Sequence, residues 1–219
     1  MTAVPVIAID GPSASGKGTV AQLVAEKLGF HYLDSGALYR LVALAAMRAG
    51  VPLDGDERLA SVAASLEARF EAGEVWLAGE PVTGAIRDEA CSIGASKVAA
   101  WPGVRSALLG RQRAFRRSPG LVAEGRDMGS VVFPDSGLKV FLTATVEARA
   151  ERRYKQLKGK GITATLSILL QDLRERDARD AARSVAPLKQ CPDARFLNTT
   201  AMSATEAAQR ILAWYRGGE

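Results

Sequence analysis

The residues best suited to chemistry form a glycine-bracketed loop near the N-terminus, GPSASGK, from Gly11 to Lys17. The loop matches the pattern G-x-x-x-x-G-K and lies between a short β-branched stretch and an apolar pattern with helical spacing. Glycines let the backbone curl so that successive amides face one anion, and a helix that begins at the lysine adds its positive end. The sequence therefore predicts a phosphate-binding loop made by Gly11, Pro12, Ser13, Ala14, Ser15, Gly16, Lys17, Gly18 and Thr19.

The loop departs from the usual pattern at one position. The residue after the lysine is commonly Ser or Thr, whose hydroxyl contacts Mg²⁺. Here that residue is Gly18, and the hydroxyl comes one position later, at Thr19. We expect Mg²⁺ to be required because it neutralises a triphosphate. Thr19 is a candidate for direct contact with the ion, and no residue is assigned as a certain ligand.

The counts of cysteine and histidine exclude several other kinds of site. Cys91 and Cys191 are the only cysteines, no CxxC pair occurs, and His31 is the only histidine. A zinc site, a disulfide framework and a Ser-His-Asp triad are therefore excluded as the basis of function. The chemistry must use hydroxyls, carboxylates, lysine, arginine, backbone amides and a bound cation.

The positive charge of the chain comes mainly from arginine. There are 21 Arg and 8 Lys, the net charge is +5 and the pI is about 9.4. One interpretation is that solvated helix faces carry the excess. The other is that guanidinium groups hold phosphate oxygens in pairs. The positions of the arginines have to decide between the two.

Short apolar strands alternate with longer helical patterns, which favours an α/β fold with a sheet of parallel strands. Helices are predicted over 17–28 and 35–50, and later ones begin after Thr145, after Thr163 or Thr165, and at the capping box that starts at Ser203. The five predicted strands cover residues 4–9, 30–33, 121–123, 138–142 and 195–197.

One region, between residues 54 and 101, interrupts this alternation. It contains a helical stretch over 59–70, a hairpin over 74–84 that turns at Ala78-Gly79-Glu80, and a second helical stretch from about Asp88. The pattern predicts a small α+β insertion in the α/β core.

No segment of the sequence is typical of a membrane span. The longest run without a charged residue is 11 residues, at 161–171, whereas a spanning helix needs about 20 apolar residues. The N-terminal stretch has no basic start of the kind found in signal peptides. We therefore expect a cytoplasmic protein without membrane contact.

A second charged group follows a predicted strand, at Glu124-Gly-Arg-Asp127. Open α/β sheets bind ligands at such strand ends, and a pair of acid and arginine suits a polar anionic substrate. A GTPase is disfavoured because Asn198 is the only asparagine and no lysine follows it to form a base-reading motif.

Four motifs resemble a known family. GKGT at 16–19 resembles the nucleoside monophosphate kinases, and LDSGALYR at 33–40, EGRDMGSVVFPD at 124–135 and RDARDAARSVAPL at 176–188 resemble the bacterial cytidylate kinases. The resemblance covers residues 7–188. It implies a P-loop kinase fold in which a five-stranded parallel sheet is flanked by helices. It also implies a single domain, 1–219, with a core at 1–34, 101–148 and 163–219, a monophosphate-binding subdomain at 35–100 and a short lid at 149–162.

The resemblance also implies roles for individual residues. Lys17, Arg126, Arg176 and Arg152 would be catalytic, and the lid residues would be Arg149, Arg152 and Arg153. The acceptor would be bound by Ser35, Tyr39 and Arg40 beside it, Ser96, Arg105 and Asp127 at the cytosine ring, Arg126 and Arg176 at its phosphate, and Asp180 and Arg183 near its ribose.

Two of these assignments have simpler alternatives. Ser35 is also placed to cap a helix. The arginines of 174–183 could instead form the polar face of a surface helix, paired with Glu175, Asp177 and Asp180 at i+3 or i+4 spacing.

The activity that the resemblance implies is transfer of the γ-phosphoryl group of ATP to CMP or dCMP. The products would be ADP and CDP or dCDP, in pyrimidine nucleotide metabolism, with Mg²⁺ as the metal and a monomeric enzyme. A kinase for AMP, UMP or shikimate stays open as an alternative. A basic RNA-binding protein is disfavoured because acids interleave with the basic residues and only 6% of residues are aromatic.

Overall fold

The computed structural model describes residues 3–71, 73–159 and 161–218. The chain divides into two compact units, the first made of residues 1–33 and 115–219 and the second of residues 34–114. The first unit has the alternating α/β pattern, and the second is a mixture of helices and a small antiparallel sheet.

The first unit is built on the predicted five-stranded parallel sheet, which the structure confirms. The predicted strand ends are off by one or two residues. The strands are β1 (Val6–Asp10), β2 (His31–Asp34), β6 (Leu121–Gly125), β7 (Leu138–Thr143) and β8 (Arg195–Asn198). Their order in the sheet is β2-β6-β1-β7-β8, so β1 lies at the centre. In register, Asp10 at the end of β1 stands beside Gly125 of β6.

The described part of the first unit also forms four long helices: α1 (Lys17–Leu28), α6 (Val146–Lys158), α7 (Leu166–Ala181) and α8 (Ala204–Tyr215). Two of the predicted caps are confirmed, because Thr145 accepts from Ala148 N and Ser203 forms a capping box with Glu206. A left-handed glycine, Gly29, ends α1.

The core of the first unit surrounds β1, all five of whose residues are buried. Ile7 and Ile9 of this strand pack in one cluster with Val24 of α1, Leu142 of β7 and Ile211 of α8. Burying these side chains stabilises the sheet by roughly 1.5–3 kcal/mol each. The loop that follows β1 therefore starts from a firmly held strand end.

In its described residues, the second unit contains four helices and a three-stranded sheet. The helices are α2 (Ser35–Arg48), α3 (Asp56–Ala64), α4 (Glu89–Val98) and α5 (Pro102–Arg113), and the antiparallel strands are β3 (Ala68–Glu71), β4 (Glu74–Leu77) and β5 (Glu80–Pro81).

The predicted hairpin is confirmed, but the helical stretch predicted over 59–70 is wrong in its second half. Helix α3 ends at Ala64, and Phe70 lies in β3. The second half is a strand because it pairs with β4, and the periodicity of the segment alone does not reveal that pairing. Ala68 stands opposite Leu77 and Phe70 opposite Val75, so this segment is held by β4.

The second unit also extends further along the chain than the predicted subdomain of residues 35–100. Helix α5, which sequence patterns did not predict, packs against α3 and belongs to this unit. The Asp56 carboxylate accepts from Gly103 N at 2.9 and 3.1 Å, which joins the first turns of the two helices. A Cβ at Gly103 would lie 2.6 Å from Asp56 Oδ1, so any other residue would force the carboxylate to move.

Candidate active site

The loop between β1 and α1 has the backbone of an anion site. Ala14 and Gly16 both adopt left-handed conformations, with φ of 57° and 91°, and Gly16 caps the N-terminus of α1. Alternating backbone signs of this kind turn successive amides toward one point, and the helix end adds a partial positive charge. Ser15 Oγ is buried with no hydrogen-bond partner among the described residues. An unpaired buried hydroxyl in such a loop fits a polar ligand.

Lys17 begins α1 and is held from two directions. Its Nζ donates to Pro12 O at 3.2 Å and lies 3.6 Å from Glu124 Oε2 at the end of β6. Tyr32 Oη donates to the other oxygen of Glu124 at 3.4 Å. The lysine charge is therefore kept over the loop by a buried carboxylate.

The same carboxylate lies close to Gly18, where the loop departs from the usual pattern. A Cβ built on Gly18 would lie 3.3 Å from Glu124 Oε1 and 3.7 Å from Tyr32 Oη. Any larger residue would press on the carboxylate that accompanies Lys17. The side chain of the usual Ser or Thr would therefore require the Glu124 carboxylate to shift by a few tenths of an ångström.

Arg126 joins the loop to helix α7. Its Nη2 donates to Ser13 Oγ at 2.7 Å and its Nε to Asp180 Oδ2 at 2.8 Å. Arg183 also contacts Asp180, through Oδ1. Burial disfavours the charged form of Asp180, but Arg126 and Arg183 outweigh it, so the pKa of this carboxyl lies below its usual value. Arg176 acts on Asp180 in the same direction. Four of the predicted acceptor residues are thus brought together.

The predicted lid residues lie on α6, and two of them already contact the loop. Arg149 is buried; it donates to Ser13 O at 3.1 Å and forms a bidentate pair with Asp177, at 3.2 and 2.6 Å. Arg152 donates to Ser15 O at 3.0 Å and to Thr199. Both arginines support the backbone of the loop in this structure.

Arg153 lies further along α6, where it is partly exposed and donates to Gln156 Oε1 at 3.1 Å. Of the glycine-lysine-glycine segment that follows, Gly159 and Gly161 are described, and Lys160 lies outside the described residues. Whether this segment closes over a nucleotide stays a prediction.

In the second unit, the start of α2 is organised by an ion pair. Asp34 caps the helix by accepting from Ala37 N at 3.0 Å, and its other oxygen pairs with Arg40 Nη2 at 2.5 Å. Ser35 is therefore the first helical residue and not the cap, so the simpler alternative for Ser35 is wrong. Arg40 Nε is buried with no hydrogen-bond partner among the described residues, as in a site that awaits a polar ligand.

Three further predicted residues are buried in this unit. The Arg105 guanidinium lies 5.6 Å from the centre of the Tyr39 ring and donates to Ala99 O at 3.1 Å. Ser96 of α4 is 5% exposed, and its Oγ has no hydrogen-bond partner among the described residues. Because a buried hydroxyl without a partner costs free energy, Ser96 is also suited to a ligand.

Comparison with known proteins decides the family. The family model described as cytidylate kinase matches residues 7–216. The cytidylate kinase of Chromobacterium violaceum is 59% identical over 212 residues, which is 97% of this chain and 96% of that protein. The cytidylate kinase of Polynucleobacter asymbioticus is 59% identical over 216 residues, which is 99% and 98% of the two chains. This chain belongs to the cytidylate kinase family.

Among solved structures, the crystal structure of TT1252 from Thermus thermophilus aligns over 99% of this chain and 98% of that chain. The TM-score is 0.50 and the sequence identity is 20%. At this identity the likeness shows the fold alone.

The expected sites of this cytidylate kinase family member divide between the two units. The phosphate loop, Lys17, Arg126, Asp127, Arg176, Asp180 and Arg183 belong to the first unit, and Ser35, Tyr39, Arg40, Ser96 and Arg105 to the second. Sequence reasoning placed Glu124 in a charged strand end without a role, and it named Asp177 only as a partner of nearby arginines on its own helix. It missed Asp10 and Thr199. The signal for Glu124 was its position directly after a buried strand. No local pattern marked the others, since their partners are more than 25 residues away along the chain.

The described residues contain no cluster of three or more His, Cys, Asp or Glu side chains that would hold a metal ion. Thr19, the candidate ligand, is exposed in the first turn of α1. Within the described ranges, no helix has both the length and the apolarity to cross a membrane.

Proposed function

We propose that this chain transfers the γ-phosphoryl group of ATP to CMP or dCMP and so produces ADP and CDP or dCDP. The observation that carries the proposal is the match to the cytidylate kinase family over residues 7–216, together with relatives of that name at 59% identity over nearly the whole chain. The left-handed loop with Lys17 at its end supports the donor side, because it suits the phosphates of a nucleotide.

On the donor side, residues 11–19 would bind the triphosphate through backbone amides, and Lys17 would add a point charge. Ser15 Oγ, which has no partner among the described residues, would gain one from a phosphate oxygen. Glu124 would keep Lys17 in place before the nucleotide arrives, because its carboxylate lies 3.6 Å from Nζ.

Mg²⁺ belongs to this proposal as a partner of the phosphates. The residues present fit such an ion, because Mg²⁺ keeps several waters and is commonly bound through substrate phosphates with one or two carboxylates, and Glu124 lies beside the loop. When bound, it would neutralise the triphosphate.

The transfer step needs no covalent intermediate and no strong base. An oxygen of the acceptor phosphate forms a bond to the γ-phosphorus, and the bond from that phosphorus to the β–γ bridging oxygen breaks, leaving ADP. A phosphate monoester is mostly ionised at neutral pH, because its second pKa is about 6. The enzyme contributes positioning and positive charge, which Lys17, Arg126, Arg152 and Arg176 would supply.

On the acceptor side, Asp127 would accept from the exocyclic amine of cytosine, and Arg105 and Ser96 would contact the ring. Uracil has a carbonyl where cytosine has the amine, so it would oppose an acceptor to the Asp127 carboxylate. Asp127 is 3% exposed, which suits a residue that selects a base away from water.

Arg126 and Arg176 would hold the acceptor phosphate, with Asp180 and Arg183 near the ribose. Arg126 donates to Asp180 and to Ser13, so its guanidinium is oriented before a ligand binds. A phosphate would compete with these partners for its N–H groups. In the second unit, Ser35, Tyr39 and Arg40 would border the acceptor. The lid over 149–162, the monomeric state, the absence of nucleic acid partners and a cytoplasmic location stay predictions.

A panel of acceptors tests the proposal. Purified protein with Mg-ATP is assayed for ADP release and for the phosphorylated product, separately with CMP, dCMP, UMP, AMP and shikimate. We expect kcat/KM for CMP or dCMP to exceed that for the others by about tenfold or more. A Lys17→Ala variant controls for contaminating kinases.

Product formation from another acceptor with none from CMP or dCMP would contradict the proposal. Retention of RNA on a filter at physiological salt, without any kinase activity, would support the nucleic-acid alternative instead.

A further inference from the structure

Asp10 is a buried carboxylate that the proposed reaction does not use. It is the last residue of β1, directly before the phosphate loop, and it is 6% exposed. Burial raises its pKa to about 6, although hydrogen bonds from Gly129 and Met128 favour the charged form. Burying a carboxylate costs free energy unless hydrogen bonds or charges compensate it. Asp10 lies between the phosphate loop and the segment that follows Asp127, so its contacts indicate what the burial achieves.

The hydrogen bonds of Asp10 supply that reason. Its Oδ1 accepts from Met128 N at 2.8 Å and its Oδ2 accepts from Gly129 N at 2.8 Å. These are the first two residues of a π-helical turn, Met128–Val132, which directly follows Asp127. One side chain at the end of β1 thus fixes the chain immediately after β6.

Further contacts restrict the backbone conformation of this turn. The Asp127 carbonyl accepts from Val131 N at 2.9 Å and from Val132 N at 3.2 Å, which closes the turn. A Cβ on Gly129 would lie 3.1 Å from Lys139 Cδ and 3.5 Å from Asp10 Oδ2, so glycine allows the amide to approach the carboxylate. Arg126 and Asp127 therefore leave β6 in a direction that Asp10 helps to set.

We propose that Asp10 is a positioning residue for the acceptor side of the reaction. By holding the amides of Met128 and Gly129, its carboxylate orients Arg126 and Asp127. This inference rests on the proposed function, in which Arg126 holds the acceptor phosphate and Asp127 reads cytosine.

The effect of Asp10 should fall on the acceptor more than on ATP. The phosphate loop has separate anchors, because Arg149 donates to Ser13 O and Arg152 donates to Ser15 O. The turn after Asp127 has Asp10 as the side-chain acceptor for its first two amides. Loss of the carboxylate would thus free the segment with Arg126 and Asp127 while the loop keeps its supports.

The test uses Asp10→Asn, which offers one acceptor where the carboxylate offers two, and Asp10→Ala, which offers none. The matched control is Asp193→Asn, because Asp193 is exposed and pairs with Lys139 at 2.8 Å without contacting the two amides. Calorimetry measures the binding of CMP and of ATP separately, and steady-state assays give kcat.

We expect both Asp10 variants to bind CMP about tenfold or more weakly and to turn over more slowly, because a buried amide is left without an acceptor. Binding of ATP should stay within about twofold, as should all constants of Asp193→Asn. Equal loss of CMP and ATP affinity, or unchanged constants with only a lower melting temperature, would overturn the positioning role.

A second measurement needs no catalytic activity. In the wild-type protein, the amide proton shifts of Met128 and Gly129 should follow one titration with a midpoint near pH 6. The groups that face Asp10 are Asp127 and Arg126 after β6, Lys139 on β7, and Cys191 before β8. Burial raises the pKa of the Cys191 thiol, which takes it further above this range. An Asp127→Asn variant has no carboxyl at position 127, so a midpoint that persists in its two amide signals belongs to Asp10.

If neither amide signal shows this midpoint, the hydrogen bonds from Met128 N and Gly129 N to the Asp10 carboxylate are contradicted. Failure of the wild-type protein to phosphorylate CMP, with the midpoint present, would instead refute the proposed function and with it the acceptor role of Asp10. The two failures are therefore distinguishable.

Discussion

Arg126 donates from Nη2 to Ser13 Oγ at 2.7 Å, so one guanidinium from the end of β6 contacts the middle of the phosphate loop. Its Nε is held by Asp180 of α7, which is 1% exposed. Three segments that are far apart in sequence therefore meet at a single side chain. In the proposed reaction this side chain is positioned before any acceptor binds.

Replacement of Arg126 by alanine should lower kcat by about 10³-fold or more while leaving ATP affinity nearly unchanged. The reason is that the lost charge compensates the phosphoryl group in transfer, whereas Lys17 and the loop amides hold ATP. Steady-state kinetics and ATP titration measure the two effects. Ser13→Ala is the control, because it removes the loop partner and keeps the guanidinium. An equal loss of ATP affinity in Arg126→Ala would contradict the assigned role.

Substitution of Asp127 by alanine should weaken the preference for cytosine. We expect the ratio of kcat/KM for CMP to that for UMP to fall by about tenfold or more, because the acceptor for the exocyclic amine is gone. The matched control is Asp135→Asn. In the wild type, the Asp135 carboxylate pairs with Arg116 at 2.7 Å. If the ratio is the same in Asp127→Ala and in the wild type, cytosine is recognised elsewhere.

Restoring the usual hydroxyl with Gly18→Thr should impair ATP use instead of improving it. The new side chain would begin 3.3 Å from Glu124 Oε1 and displace the carboxylate beside Lys17. We expect KM for Mg-ATP to rise by about three- to tenfold, equivalent to roughly 1 kcal/mol of crowding. Titrations with Mg-ATP check this, and a KM at or below the wild-type value would show that the site has room for the hydroxyl.

Two glycines of α5 should respond oppositely to alanine. Gly110 has open space around its Cβ position, so Gly110→Ala should stabilise the protein by about 0.5–1 kcal/mol through helix propensity. Gly103→Ala should destabilise it by about 1–3 kcal/mol, because its Cβ would lie 2.6 Å from Asp56 Oδ1. Urea unfolding of both variants measures the difference, and equal effects would contradict the packing of α5 on α3.

Stability should depend on pH through Asp10. Its pKa is raised from 3.8 to about 6 in the folded state, so its contribution is full below pH 3.8 and is lost as pH rises through about 6. The shift corresponds to roughly 3 kcal/mol. The free energy of unfolding of the wild type, minus that of Asp10→Asn, should therefore fall by about 2.4 kcal/mol between pH 4 and pH 7. Urea titrations at several pH values measure it, and a constant difference would contradict the buried carboxylate.

The parts of the fold that were predicted correctly are those encoded by local pattern. Helix α1 follows from apolar spacing between Lys17 and the terminal Gly29, and the capping box of Ser203 marks the start of α8. Strands β1 and β6 follow from their short apolar runs, because a strand buried on both faces has few other compositions.

The parts that were missed depend on partners distant in sequence. The local pattern places Phe70 in a helix, but pairing with Val75 of β4 holds it in a strand. Helix α5 was missed because few of its residues are apolar. At the candidate site, motif matching found the loop and the arginines, but it gave Asp10 no role and did not reveal that Asp177 pairs with Arg149. Those carboxylates matter through the backbone amides and the guanidinium that the fold brings to them.

The anchoring of the phosphate loop by α6 also bears on how a nucleotide would bind. Arg149 and Arg152 donate to the carbonyls of Ser13 and Ser15 from outside the loop. The conformational entropy needed to order these residues is therefore lost when the chain folds and not when the ligand arrives. Because this loop is preorganised, the association rate of ATP should not be limited by ordering of the loop backbone. The affinity should come mainly from contacts to the phosphates.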